Sequence, residues 1–148
     1  MPVTDQQVAT LRAQLAGDLE EHKRLRRQLD RTADGRAYSA LVTSAFVEAV
    51  DRRFTKDTRK DDVVEFVAGV RSSSERVRDA LDPRVAERLL LATIGDEDIS
   101  DLDPAAVGPN RTGLLVALVA DEQFDDAALD EFMASVRPAA DNLLSRAT

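Results

Sequence analysis

The chain has 148 residues, of which 28 are acidic and 20 basic, and its formal net charge at pH 7 is -8. It contains one histidine and no cysteine, which excludes disulfides, cysteine nucleophiles and cysteine-ligated metal centres. No apolar run approaches the roughly 18 residues that cross a bilayer. The first residues do not resemble a secretory signal, so we expect a cytoplasmic protein that does not contact a membrane.

The negative charge is concentrated in the later part of the chain. Residues 1–60 hold 12 bases and 9 acids, a balance of +3, whereas residues 61–148 hold 8 bases and 19 acids, a balance of -11. Such charges usually solvate helix surfaces. The asymmetry nevertheless predicts an electrostatic attraction between the two parts, within one molecule or between copies.

Apolar residues recur at three- and four-residue steps along nearly the whole chain, a spacing typical of amphipathic helices. We therefore predict an all-α protein that forms a single domain over 1–148, an orthogonal or antiparallel bundle of six to seven helices. A helical hairpin over 5–57 is predicted to precede an acidic multi-helix core over 58–148.

The first predicted helix is long and runs from about residue 5 to residue 32. Thr4 and Gln7 are spaced as a capping box for its start, and Asp34-Gly35 is a turn signal for its end. Because the connection at 33–36 is short, we expect the next helix to run antiparallel to the first.

Later helix boundaries are indicated by residues that cap or interrupt helices. Side chains that accept hydrogen bonds from free backbone amides predict helix starts, and they are Thr58, Asp82, Asn110 and Asp125. Helix ends or irregularities are predicted at Ser72–Ser74, Gly95 and Gly108, with a kink or break near Pro138.

The predicted helix at 111–123 is apolar on most sides and is therefore placed at the centre of the bundle. The other core positions follow from the apolar faces of the remaining helices. The predicted core consists of Leu41, Phe46, Phe66, Val67, Leu89, Leu115, Leu118, Phe132 and Leu143.

The acidic loop at 96–103 is a candidate site for a divalent metal, because carboxylate oxygens are hard ligands. Its carboxylates are Asp96, Asp98, Asp101 and Asp103. It does not match a calcium-binding EF-hand, since Asp101 stands where glycine belongs and Val107 where the final glutamate belongs. No motif predicts a cofactor. Binding of a divalent metal or small ligand, by this loop or by the turn at 121–126, is one alternative function.

The segment from Leu114 to Met133 contains the acidic turn Ala120-Asp121-Glu122-Gln123-Phe124-Asp125-Asp126. It resembles the helix–acidic turn–helix of tellurite-resistance TerB-like domains over roughly 20 of the 148 residues. This resemblance implies an all-helical fold and contact of a metal by Asp121 and Asp125. The chain departs from the pattern at Glu122-Gln123, where those domains usually have Asp-Gly.

Two clusters of basic residues occur in the first 60 residues of this acidic chain. The first is Lys23, Arg24, Arg26, Arg27 and Arg31, and the second is Arg52, Arg53, Lys56, Arg59 and Lys60. They would support a second alternative, a regulator that associates with nucleic acid through the first 60 residues. The net charge opposes that interaction and no helix-turn-helix signature accompanies the clusters, so nucleic acid is not the expected partner.

No constellation of catalytic residues is apparent, because the lone His22 has no identifiable nucleophile or second metal ligand. We therefore expect a non-catalytic helical interaction or regulatory module that forms a homodimer or binds another protein. The long first helix would extend beyond its bundle and pair with a second copy. The residues predicted for that contact are Leu19, His22, Leu25 and Leu29.

Overall fold

The computed structural model describes residues 2–32, 35–73, 75–95 and 97–146. These residues form eight α-helices and no β-strand, which confirms the all-α class and is close to the predicted six to seven helices. The helices are α1 (Asp5–Leu15), α2 (Leu19–Thr32), α3 (Gly35–Arg53), α4 (Lys60–Ser72), α5 (Glu75–Ala80), α6 (Pro83–Gly95), α7 (Pro104–Glu122) and α8 (Asp126–Arg146). None of the helices in these ranges is both long enough and apolar enough to cross a membrane.

The prediction of one long helix over 5–32 was wrong, because the chain reverses between α1 and α2. Gly17 has a φ of 82°, and its amide and that of Asp18 donate to the carbonyls of Gln14 and Ala13. This is the Schellman arrangement, in which a left-handed glycine ends a helix. Asp18 then accepts from the Glu21 amide at 3.2 Å and so begins α2.

The predicted start of α1 is confirmed. The Gln7 amide donates to the Thr4 hydroxyl at 3.1 Å, and the Thr4 amide donates to the Gln7 side chain at 2.9 Å. The predicted turn at Asp34-Gly35 includes Asp34, which lies outside the described residues.

The chain divides into two compact units. Unit 1 comprises Met1–Ala45 and Val119–Thr148, and unit 2 comprises Phe46–Leu118. In unit 1, α1 packs against both α2 and α8, and in unit 2, α4 packs against α5 and α6.

Of the predicted core, Phe66 and Leu143 are only half-buried, and the members that are at most 2% exposed are Leu41, Phe46, Val67, Leu89, Leu115, Leu118 and Phe132.

Several predicted boundaries in unit 2 are confirmed. Asp82 accepts from the amides of Arg84 and Val85 at 2.9 and 3.4 Å and so begins α6, which ends at Gly95. Helix α4 ends at Ser72, as the serine run predicted, although Ser74 lies outside the described residues. In unit 1, Asp125 accepts from the Ala128 amide at 2.8 Å and begins α8.

Two predicted caps were wrong. Thr58 does not begin α4, because its hydroxyl accepts from the Thr55 amide at 2.9 Å within the preceding turn, and the helix starts two residues later. Asn110 does not begin a helix at 111, because α7 already starts at Pro104 and continues past Gly108. Asn110 is 4% exposed, and its amide group joins two parts of unit 2 instead.

Those contacts of Asn110 explain why a residue that favours helix ends lies within a helix. Its Oδ1 accepts from the Asp82 amide at 2.9 Å, and its Nδ2 donates to the Ala106 carbonyl at 2.8 Å. Both polar ends of a buried side chain are therefore bonded, as burial requires.

Of the two alternatives predicted near Pro138, a kink or a break, the break is absent, since α8 runs through this residue to Arg146. Pro138 and Ala134 both lie on the exposed side of the helix. Water there can bond to the carbonyl that a proline leaves without its usual amide partner, so the helix continues.

Candidate interaction surface

The structure places the four predicted contact residues in different environments. His22 and Leu29 are buried, at 8% and 6% exposure, while Leu25 is half-buried and Leu19 is 47% exposed. Two of the four therefore contribute to packing within the chain. They do not form one exposed apolar stripe.

His22 joins α2 to α1. Its Nδ1 lies 2.8 Å from the backbone carbonyl of Thr10, which is itself fully buried. A carbonyl oxygen can only accept, so Nδ1 carries the hydrogen and donates. A second link lies nearer the surface, where the Gln6 side chain donates to Gln28 at 3.2 Å. These two contacts fix how α2 lies along α1.

Arg12 joins α1 to the first half of α8. Its Nε donates to Asp130 at 2.6 Å, and its second guanidinium nitrogen donates to the backbone carbonyl of Asp126 at 3.3 Å. The carboxylates of Asp130 and Asp126, which both pair with Arg12, remain largely exposed, at 67% and 95%. These ion pairs therefore contribute little to stability individually but orient the helices.

Arg137 and Asp141 of α8 hold the segment before α1. Arg137 donates to Asp5 at 2.6 Å and to the Val3 carbonyl at 2.9 Å, and the Val3 amide donates to Asp141 at 2.8 Å. Val3 is 2% exposed. The N-terminal segment is therefore anchored along α8, and α1 is held there at both of its ends.

The positions of these contacts show how the three helices are arranged. At about 3.6 residues per turn, the α8-facing pair Asp5 and Arg12 is centred roughly 130° around α1 from the α2-facing pair Gln6 and Thr10. Ala9 is exposed and projects between the two pairs. Helices α2 and α8 therefore flank the exposed strip of α1 on opposite sides, and we refer to this arrangement as the α2–α1–α8 layer.

The two flanks of the layer carry opposite charges. We define the basic face by exposed residues of α2, namely Lys23, Arg24, Arg26 and Arg27. We define the acidic elbow by exposed residues at the end of α7, the turn and the start of α8, namely Asp121, Glu122, Asp125, Asp126, Asp130 and Glu131. No basic residue occurs in the sequence from 112 to 136, so the charge of the elbow is not offset locally in the sequence.

Part of the basic face is already engaged within unit 1. Arg24 is paired with Glu21, and this hydrogen bond lowers the pKa of the Glu21 carboxyl and raises that of Arg24. The Arg26 guanidinium lies 5.9 Å from the centre of the Tyr38 ring. Lys23 and Arg27 project from the side of α2 opposite buried His22, towards solvent.

The acidic elbow turns through Gln123, which has a φ of 55°. This is the left-handed conformation that glycine adopts most readily, here taken by a residue with a side chain. Asp125 is committed to capping α8, and Asp121 and Asp125 are not part of any group of three or more potential metal ligands among the described residues.

Three carboxylates of the acidic loop, Asp98, Asp101 and Asp103, form contacts within unit 2, whereas Asp96 lies outside the described residues. Asp101 forms a two-pronged pair with Arg88, at 2.5 and 2.9 Å, which lowers the pKa of Asp101. Asp98 accepts from the amide and hydroxyl of Ser100 at 2.9 and 3.0 Å, which lowers its pKa as well. Asp103 accepts from the Ala105 amide at 3.0 Å and begins α7. The described carboxylates do not converge on a metal position.

The second basic cluster in unit 2 is divided among several contacts. Arg52 pairs with Glu48 at 3.2 Å, and the Arg53 guanidinium lies 5.1 and 5.4 Å from the ring centres of Phe54 and Phe66. A cavity of about 380 Å³ nearby is lined by Asp51, Phe54, Thr55, Lys56, Thr93 and Ile94. One carboxylate and one ammonium group line it, so its charge does not favour a phosphate ligand.

Sequence reasoning missed the role of Arg12 in positioning the acidic elbow. The available signal was charge: Arg12 is the only basic residue before Lys23, and its partners Asp126 and Asp130 lie in a distant acidic segment. Comparison with family models, curated proteins and solved structures yields no match.

Proposed function

We propose that this chain is a non-catalytic helical interaction module whose partner is a second copy of itself. The observation that carries the proposal is the charge separation in the α2–α1–α8 layer, with a basic face on one flank and an acidic elbow on the other. Each surface is complementary to the other surface of a second molecule.

Intramolecular neutralisation does not remove this complementarity. Helix α1 lies between the two flanks, and its contacts hold them roughly 130° apart around its axis. Arg12 reaches the elbow from α1, but six acidic residues remain exposed there. Glu122 and Glu131 of the acidic elbow and Lys23 and Arg27 of the basic face are exposed to solvent, so a second molecule can contact them.

The net charge of -8 on each copy opposes association at long range. At an ionic strength of about 0.1 M the Debye length is about 10 Å, so this repulsion is largely screened, while charges in direct contact still attract. At about 1 M the Debye length falls to about 3 Å, and the attraction between charges in direct contact is screened as well. The proposed association is therefore favoured at moderate salt and lost at high salt.

Sedimentation velocity of the wild-type chain tests the proposal. Charge-driven contacts of this kind are expected to have dissociation constants of about micromolar to millimolar, so the protein is measured from about 10 µM to about 1 mM. We expect a species of twice 16.2 kDa at about 0.1 M salt that dissociates at about 1 M. A mass of 16.2 kDa at every salt concentration contradicts the proposal.

A further inference from the structure

The cavity in unit 2 lies where the C-terminal ends of α3 and α6 meet. Asp51 lies in the last turn of α3, and Thr93 and Ile94 lie in the last turn of α6. The volume of about 380 Å³ is within the range of about 300–1,000 Å³ typical of pockets for small molecules. We propose that this cavity binds a small amino acid with an aliphatic side chain. All of its lining residues belong to unit 2, so the proposal does not depend on self-association.

Two opposite charges line the cavity without contacting each other. Neither the carboxylate of Asp51 nor the ammonium of Lys56 forms an ion pair or a hydrogen bond with another residue in the described ranges. An amino acid carries the complementary groups, an ammonium and a carboxylate, on one carbon atom. A single ligand can therefore place its ammonium beside Asp51 and its carboxylate beside Lys56.

The two helix ends favour the same orientation of the ligand. The C-terminal end of a helix carries a partial negative charge, because its last carbonyls have no amide partner within the helix. At the end of α3 the Thr55 amide donates to the Thr58 hydroxyl at 2.9 Å and not to a carbonyl of the helix. The helix ends and Asp51 together attract an ammonium group, and Lys56 is the charged lining residue that attracts a carboxylate.

The apolar lining of the cavity indicates the kind of side chain that the ligand carries. Phe54 is 6% exposed, and its ring packs edge-on against Phe66 with the ring centres 5.4 Å apart. Ile94 is half-buried, whereas Asp51 and Lys56 are exposed and lie at the mouth. An aliphatic side chain placed against Phe54 and Ile94 is removed from water, which favours binding. A charged side chain in that position would lose its hydration without gaining a partner.

Titration of the full chain with L-leucine at neutral pH, followed by NMR spectra of the backbone amides, tests the proposal. Two analogues are titrated in parallel: L-leucinamide, which lacks the carboxylate, and isocaproate, which lacks the ammonium. We expect L-leucine to shift the amides of residues 54–56 and 93–94, with a dissociation constant of about 1 mM or lower. Each analogue should bind about tenfold more weakly, because it lacks one charge-assisted hydrogen bond.

Two substitutions assign the charged contacts. Asp51→Asn should weaken binding of L-leucine and L-leucinamide about tenfold and leave binding of isocaproate unchanged. Lys56→Gln should weaken binding of L-leucine and isocaproate by a similar factor and leave binding of L-leucinamide unchanged. Asp57→Asn and Lys60→Gln are matched controls, because they remove the same charges from exposed residues of unit 2 that do not line the cavity. Both controls should bind L-leucine as the wild type does.

Three results would overturn this inference. The first is that L-leucine at about 10 mM shifts no amide of the cavity, as expected if Asp51 and Lys56 pair with each other in solution. The second is that the shifts lie elsewhere in the chain. The third is that Asp51→Asn and Lys56→Gln change the binding of all three compounds equally. A monomeric mass in sedimentation overturns the proposed function alone, because the cavity is formed within one chain.

Discussion

The contact between His22 and Thr10 offers a sharp test of how α2 is held against α1. Asparagine carries its amide nitrogen at nearly the position of the histidine Nδ1, whereas glutamine carries it near the position of Nε2. His22→Asn therefore keeps a donor for the Thr10 carbonyl, and His22→Gln removes it while retaining a polar side chain.

The expected difference follows from the value of one buried hydrogen bond. Such a bond contributes about 1 kcal/mol to stability, so His22→Asn should be more stable than His22→Gln by about that amount. In a chain of this size, the difference corresponds to roughly 2–4 °C in Tm. Both variants should be less stable than the wild type, because His22 is 8% exposed and its ring fills space in unit 1.

Urea unfolding followed by tyrosine fluorescence measures this difference, since Tyr38 is the only tyrosine and lies in unit 1. Circular dichroism on the same samples reports the helices of the whole chain. If His22→Gln matches or exceeds His22→Asn in stability, Nδ1 donation to Thr10 does not hold the two helices. If neither variant is destabilised, His22 is not buried as described.

Three further predictions concern other contacts. Asn110→Ala should cost about 2 kcal/mol in urea unfolding, because two hydrogen bonds of a buried amide are lost, while the exposed Asn142→Ala should cost less than about 0.5 kcal/mol. Among the described residues the buried Tyr38 hydroxyl has no hydrogen-bond partner, so Tyr38→Phe should stabilise unit 1 by about 1 kcal/mol. Burial raises the Tyr38 pKa, so wild-type stability should fall as pH rises above the ordinary tyrosine value of about 10, and the fall should be smaller in Tyr38→Phe. Arg88 lowers the pKa of Asp101, so the stability advantage of wild type over Asp101→Asn should be present at neutral pH and vanish as pH falls below about 4; an advantage that persists in acid contradicts this pairing.

Local signals in the sequence predicted the helical class and several helix ends. Thr4, Asp82 and Asp125 act as predicted because a cap depends only on the few residues that follow it. The same reasoning failed at Asn110, whose partner Asp82 is 28 residues away. Tertiary partners of that kind leave no periodic signal in the sequence.

The error at Gly17 affected the functional prediction most. The apolar stripe continued in phase from Leu15 to Leu19, which concealed a glycine that ends α1 and an aspartate that begins α2. Two short helices pack against each other, so His22 and Leu29 are buried within the chain. The uneven charge distribution was visible in the sequence, but its division between two flanks of one layer depends on packing around α1.

Charge reversal tests the central claim, that the basic face of one copy binds the acidic elbow of another. Three variants carry the test: Lys23→Glu/Arg27→Glu, Glu122→Lys/Glu131→Lys, and the combination of all four. Lys56→Glu/Lys60→Glu provides a control, because it changes the net charge by the same amount as the first variant but lies in unit 2.

The measurement is the dissociation constant from sedimentation at about 0.1 M salt. Exposed pairs contribute about 0.2–1 kcal/mol each, so either double reversal should weaken association by about 2 kcal/mol, or roughly 30-fold. The combined variant should recover most of that loss, and the control should stay close to the wild type. If the combined variant is no tighter than either double reversal, or if the control weakens association equally, the two surfaces do not bind each other.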